Sequence, residues 1–105
     1  NNFNKVFYFE PRLVMNDSSF TKTFLFSDKN YFSMESKKRV KTGYFGSRVV
    51  DLIKFLESIS PLTLVEENLH IELLMYDFYK EKETEFITKN ISKWKNYLTG
   101  VYEAY

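Results

Sequence analysis

The chain has 105 residues, of which 44% are hydrophobic and 28% charged, a balance that is typical of globular proteins and excludes a disordered chain. We expect one domain over residues 1–105, because a chain of this length can bury a hydrophobic core without the help of disulfides or a structural metal. The absence of cysteine excludes a disulfide framework and thiol catalysis. The net charge of +1 is too balanced to indicate nucleic-acid binding by itself.

The N-terminal third predicts mostly strands. Residues 3–9 are rich in β-branched and aromatic side chains, which favours a strand, and residues 13–15 form a short second one. Residues 20–26 alternate two faces, which predicts a third strand, and residues 31–35 return as the other arm of a hairpin. The basic stretch over 36–46 is expected to be irregular or weakly extended.

A helix is predicted over about 47–59, with Ser47 as its N-cap. Its apolar residues recur at the spacing of one buried helical stripe, namely Val49, Leu52, Ile53 and Leu56.

The segment 62–79 is ambiguous between strand and helix. Alternation over 69–79 favours a strand, whereas a helix running from Ser60 would also align apolar residues. A further strand is predicted over 84–88.

The C-terminal segment predicts a second amphipathic helix over about 91–104. Six residues fall on one helical stripe: Trp94, Tyr97, Leu98, Val101, Tyr102 and Tyr105. Taken together, the elements predict an α+β fold, with an antiparallel sheet of about five or six strands and the two helices packed on one face.

Two features that could carry catalysis or cofactor binding do not match a site pattern. Gly43 and Gly46 precede the first predicted helix, but Ser47-Arg48 follows where a phosphate loop needs Lys and then Ser or Thr. His70, the single histidine, has no recognisable orienting partner or nucleophile motif. We therefore expect no enzymatic activity, no catalytic residue, no cofactor and no bound metal.

Charge is distributed unevenly along the chain. Between residues 37 and 48 there is no acidic residue but five basic ones: Lys37, Lys38, Arg39, Lys41 and Arg48. Between residues 66 and 85, seven acidic residues stand against two lysines. Either these two regions neutralise each other or solvate two faces, or one of them is steered towards a partner of opposite charge.

Carboxylates interleaved with tyrosines suit a basic protein partner, because the tyrosines can fill the desolvated centre of an interface. The candidate partner-binding residues are Glu66, Glu67, Glu72, Tyr76, Asp77 and Tyr79. The favoured hypothesis is a non-enzymatic inhibitor of the immunity or antitoxin type, neutralising a toxin, for instance a nuclease, by blocking its basic active-site surface.

Two alternatives stay open. One is a small nucleic-acid-binding module that uses the basic residues of 37–48, and the other is a phage-type antagonist of a host defence protein. We expect a cytoplasmic protein without a membrane partner, because no apolar run approaches the roughly 18 residues of a membrane span and no secretory signal is visible.

Overall fold

The computed structural model describes residues 4–11, 13–15, 18–60, 70–89, 91–96 and 98–105. In chain order the elements are β1 (Lys5–Phe9), β2 (Leu13–Met15), α1 (Ser19–Leu25), β3 (Asn30–Ser36), β4 (Arg39–Arg48), α2 (Val49–Ser58), α3 (Ile71–Tyr79), β5 (Thr84–Ile87), β6 (Ser92–Lys95) and β7 (Tyr102–Ala104). The predicted α+β class is therefore confirmed. The strands form a four-stranded sheet in the order β1-β4-β3-β5 and a three-stranded sheet in the order β2-β6-β7.

The four-stranded sheet is mixed rather than antiparallel. β4 pairs antiparallel with both β1 and β3, whereas β5 pairs parallel with β3, with Asn30 opposite Thr84. The connection from β3 to β5 passes through β4, α2 and α3, and it is long enough to return the chain to the start of β3, as parallel pairing requires. The prediction of a single antiparallel sheet was therefore wrong in this detail.

Both faces of the four-stranded sheet are covered. On one face, α2 and α3 contribute Phe55, Met75 and Tyr79 to a core with Phe32 and Phe45 of the sheet. On the other face, α1 and the three-stranded sheet bury a second cluster, formed by Leu13, Phe20, Tyr44 and Ile91. The prediction that helices pack on one face alone missed α1 and the second sheet.

The predicted strand over 20–26 is instead helix α1. Phe20 and Phe24 are its buried residues and pack against the rings of Phe7 and Tyr31. A separation of four residues keeps two side chains on one face in a strand and in a helix alike, so the sequence pattern could not separate the two. Phe26, which a strand would also bury, is 91% exposed.

The segment 69–79 shows the same ambiguity and was also wrongly predicted as a strand. From Ile71 to Tyr79 it is helix α3, whose buried residues are Met75 and Tyr79, again four positions apart. The adjacent residues 61–69 lie outside the described part of the chain.

The predicted C-terminal helix is a β-hairpin. β6 and β7 pair antiparallel, and Gly100 lies in the connecting turn with φ +72°, a conformation that a right-handed helix does not contain. Of the predicted buried stripe, Trp94 and Tyr105 pack inward, whereas Leu98, Val101 and Tyr102 are exposed. Tyr97 lies outside the described residues.

Several other predicted elements agree with the structure. The helix predicted over 47–59 is confirmed as α2, and the strands predicted over 3–9, 13–15, 31–35 and 84–88 are confirmed within a residue or two in the described part of the chain. The N-cap of α2 is Arg48 rather than the predicted Ser47, which belongs to β4 and donates its hydroxyl to the Arg48 carbonyl instead of accepting from the first turn of the helix. The basic stretch over 36–46, expected to be irregular or weakly extended, instead lies largely within the ten-residue strand β4, whose register is irregular only opposite β3. None of the described helices is long and apolar enough to cross a lipid bilayer.

Candidate functional site

A buried polar network fixes the start of α2 on the sheet. Asn30 Nδ2 donates to Asp51 Oδ2 at 3.0 Å, and Asn30 Oδ1 accepts from the backbone N–H of Arg48 at 2.7 Å. Arg48 completes the network with Nε and Nη2 at 2.9 and 2.7 Å from the same carboxylate oxygen. The network joins β3, the end of β4 and the first turn of α2, so the rotation of α2 about its axis is set here.

The Asp51 carboxylate is held in its charged form although it is buried. Burial alone would raise its pKa, but hydrogen bonds from Asn30 and Arg48, and the positive charge of Arg48, outweigh burial and lower the pKa below its ordinary value. A buried carboxylate that is satisfied in this way anchors a helix and is not poised to accept a proton at neutral pH.

Because Asp51 and Phe55 are the inward residues of α2, the apolar stripe predicted from the sequence is buried only in part. Val49 and Leu52 are half-buried, with Leu52 packed against the core, whereas Ile53 and Leu56 face solvent. Val50, Ile53 and Leu56 are 54%, 50% and 54% exposed. We call these three residues the α2 apolar face. Exposed aliphatic residues clustered on one helix face, unlike scattered ones, are characteristic of surfaces that contact another molecule.

A groove of about 290 Å³ continues the α2 apolar face towards α3. Its walls are formed by Tyr8 of β1, Leu52 and Leu56 of α2, and Ile71 and Met75 of α3. The groove is lined mainly by carbon atoms, so it suits an apolar side chain of a partner better than a charged ligand.

The structure separates the residues that sequence analysis grouped as a partner-binding patch. Glu66 and Glu67 lie outside the described residues. Glu72 lies on α3 with its Oε2 3.2 Å from Arg39 Nη1, so its charge is neutralised by β4. Asp77 is exposed and lies 3.2 Å from Lys80.

The two tyrosines of that patch serve mainly to pack α3. The Tyr76 ring is half-buried, with its centroid 5.2 Å from that of Phe86, and the Lys80 ammonium lies over it at 5.8 Å. Tyr79 is fully buried, and its hydroxyl is 2.7 Å from Ser47 Oγ. Burial raises the pKa of Tyr79 to about 12, so the phenol stays neutral. Tyr79 therefore cannot contact a partner in this structure.

Glu72 and Asp77 also point to different sides of α3. Five residues at 3.6 per turn place them about 140° apart around the helix axis. The carboxylates that do project from the end of α3 and the turn before β5 are those of Asp77, Glu81 and Glu83, all exposed. Within the described residues, Glu81 and Glu83 have no ion-pair partner. We call these three residues the acidic surface.

The basic segment does not form one patch either. Lys37 and Lys38 occupy the exposed turn between β3 and β4, while Arg39 and Arg48 are engaged by Glu72 and Asp51. These two arginines stand at opposite ends of a ten-residue strand, about 30 Å apart.

Lys41 is withdrawn from solvent altogether. It is 5% exposed, and its ammonium lies 5.2 Å from the centroid of the Tyr105 ring. Burial lowers the pKa of Lys41, opposed by the negative charge of Glu35. A lysine in this position packs the two sheets together and does not reach a phosphate.

The glycines and the histidine have structural placements. A Cβ at Gly46 would lie 2.5 Å from the Phe24 ring, and one at Gly43 would lie 2.8 Å from Leu13 and Tyr105. Both glycines therefore allow close packing on β4. His70 is exposed at the N-cap position of α3. No group of three potential metal-ligating side chains occurs among the described residues.

The exposure of the α2 apolar face and the network beneath it were not predicted from the sequence. The available signal was Asp51, a carboxylate within the apolar run Val49–Ile53, which an ordinary amphipathic helix would place outward. Its inward position depends on Asn30, 21 residues earlier, and no local pattern reports such a contact.

Comparison of the chain with protein-family models, with curated protein sequences and with solved structures finds no match.

Proposed function

We propose that this chain is a non-enzymatic, cytoplasmic protein-binding inhibitor of the immunity or antitoxin type. It neutralises a toxin by covering the toxin's basic active-site surface, and a nuclease is the toxin class that this chemistry suits. The observation that carries the proposal is the α2 apolar face.

The α2 apolar face supports a protein partner because burying its apolar surface against another protein would contribute favourable free energy to binding. Burying three half-exposed aliphatic side chains contributes about 1 kcal/mol each. A nucleic acid presents mainly phosphates and sugars and has no equivalent apolar surface to meet α2. The fixed rotation of α2 adds preorganisation, which lowers the entropic cost of binding.

The acidic surface supports a basic partner. It lies in the same helical layer as the α2 apolar face, since α2 and α3 pack on one face of the sheet. An apolar centre with charged groups near its edge is the usual anatomy of a protein interface, and charge complementarity speeds the encounter and selects the partner.

The test is co-expression with the protein that the adjacent gene encodes, which the proposal expects to be toxic when it is expressed alone. The proposal expects that the wild-type chain restores growth and forms a stable complex with that protein in solution. Failure of the folded wild-type chain to do either would contradict it.

Variants locate the interface. Ile53→Asp places a charge at the centre of the α2 apolar face and should abolish growth rescue. Phe26→Asp is the matched control, because Phe26 is 91% exposed at the end of α1, outside the helical layer of α2 and α3. Equal loss of rescue in both variants would contradict binding through α2.

Nucleic-acid binding is the competing result. If the chain instead bound an oligonucleotide with an affinity that fell steeply with salt, and Lys37→Glu with Lys38→Glu abolished that binding, the inhibitor proposal would be wrong.

A further inference from the structure

The turn that joins β6 to β7 is organised by its own hydrogen bonds. Asn96 Oδ1 accepts from the backbone N–H of Leu98 at 2.9 Å, and the Gly100 N–H donates to the Asn96 carbonyl at 2.7 Å. Asn96 N–H in turn donates to the carbonyl of Val101 at 2.9 Å. These bonds join Asn96 to Leu98, Gly100 and Val101 across the turn.

That tip is apolar and exposed. Leu98 is 97% exposed, and Val101 and Tyr102 are 57% and 53% exposed. Because Leu98 lies beside two other exposed apolar residues, the three form a small apolar patch, which is typical of a surface that contacts another molecule or a lipid phase.

Cations stand directly behind the tip. Lys93 and Lys95 are exposed on β6, and the register places Lys95 opposite Tyr102 and Lys93 opposite Ala104. Side chains two apart on a strand share a face, so both lysines flank the apolar tip on one side of the hairpin. The single acidic residue of β7, Glu103, is opposite Trp94 and therefore on the other side.

We propose that the β6–β7 hairpin docks on an anionic lipid surface. Leu98 and Val101 enter the boundary between headgroups and acyl chains, Tyr102 lies at headgroup level, and Lys93 and Lys95 contact lipid phosphates. Apolar insertion beside lysines matches the chemistry of a bilayer that carries negative headgroups. The expectation that membranes are not partners rested on the lack of a spanning segment, which surface docking does not need.

A single-stranded nucleic acid fits the hairpin less well. The Lys93 ammonium lies 5.2 Å from the centroid of the Tyr102 ring, on the side where a base would stack. The apolar tip also has no partner on a phosphate backbone. We therefore assign the surface to lipid and treat oligonucleotide binding as a contrary outcome.

The test is flotation of the purified chain with vesicles at low salt. The probes are vesicles of phosphatidylcholine alone and of phosphatidylcholine with about one third phosphatidylserine. Binding should be confined to the anionic vesicles. It should weaken about tenfold in Leu98→Ser, and about fivefold for each of Lys93→Ala and Lys95→Ala.

Phe26→Ser is the matched control, since Phe26 is as exposed as Leu98 but lies at the end of α1. All these positions are on the surface, so far-ultraviolet circular dichroism should show folded variants. The proposal is overturned if the wild-type chain does not float with anionic vesicles, if Phe26→Ser loses as much as Leu98→Ser, or if a thymidine oligonucleotide displaces the vesicles and shows the same lysine dependence.

Discussion

The hydroxyl of Tyr79 lies beneath α3, 2.7 Å from Ser47 Oγ, and neither side chain reaches solvent. Ser47 Oγ donates to the Arg48 carbonyl, so the phenol donates to Ser47. The sequence marks Tyr79 as one of several tyrosines beside acidic residues, and only the three-dimensional packing separates it from an exposed one. At this position the side chain stabilises the fold and contributes no contact area.

Tyr79→Phe should therefore lower the free energy of unfolding by about 1 kcal/mol, the net value of one buried hydrogen bond, with the ring contacts retained. Urea unfolding followed by circular dichroism measures it. Ser47→Ala should cost a similar amount, and the double variant should cost less than the sum, because both remove the same bond. A Tyr79→Phe chain of unchanged stability but weaker partner binding would contradict the placement.

Asp51 makes the free energy of unfolding of the chain depend on pH. Its folded pKa is below the unfolded value, so its stabilising contribution is present above the unfolded pKa, near 4, and is lost as pH falls through the folded pKa. Asp51→Asn should destabilise the chain by about 1–3 kcal/mol at pH 7 and by less at pH 3. Unfolding at both pH values tests this, with Asp77→Asn, an exposed position, expected to change little at either. If Asp51→Asn lowered the free energy of unfolding more at pH 3 than at pH 7, the proposed role of the network in stability would be contradicted.

At the scale of elements, the sequence determined the type of an element where its period was unambiguous. The period-two strands β1 and β3 and the helix α2 were predictable. Two pairs of buried residues fit the period of a strand and that of a helix equally well: Phe20 with Phe24 in α1, and Met75 with Tyr79 in α3. Whether such a segment forms a helix or a strand depends on what it packs against. For α2 the element was predicted correctly, but its buried face was right only in part: Leu52 packs on the core, whereas Ile53 and Leu56 are exposed, because a long-range polar network sets the rotation of the helix.

Close packing of α1 on the sheet gives an element-scale prediction. Gly46→Ala would place a Cβ 2.5 Å from the Phe24 ring, so α1 has to move away from β4, at a cost of about 1–3 kcal/mol. Gly100→Ala meets no atom within 4 Å, and its positive φ costs about 1 kcal/mol. Thermal unfolding should rank Gly46→Ala as the more destabilised. The reverse order would mean that α1 does not pack on β4 in this way.

In the whole molecule, the basic segment and the acidic segment of the chain are placed differently. The basic segment is dispersed along β4 and largely engaged, whereas the end of α3 keeps exposed carboxylates in the same layer as the α2 apolar face. The sequence indicated that the surface around α3 is negatively charged, but it could not show which of its carboxylates are neutralised by ion pairs. Arg39 reaches Glu72 across 33 positions of sequence, and that contact removes one predicted site residue.

The affinity of the chain for the proposed toxin, measured by calorimetry with paired charge reversals, tests the inhibitor proposal most directly. Asp77→Lys with Glu81→Lys should weaken binding by at least about tenfold at low salt and by less at high salt, because the proposal has these carboxylates facing a basic partner. Glu103→Lys, an exposed reversal on β7, should leave the affinity within about twofold, as expected for a charge outside the interface. Unchanged affinity in the double reversal, or an equal loss in Glu103→Lys, would contradict the account.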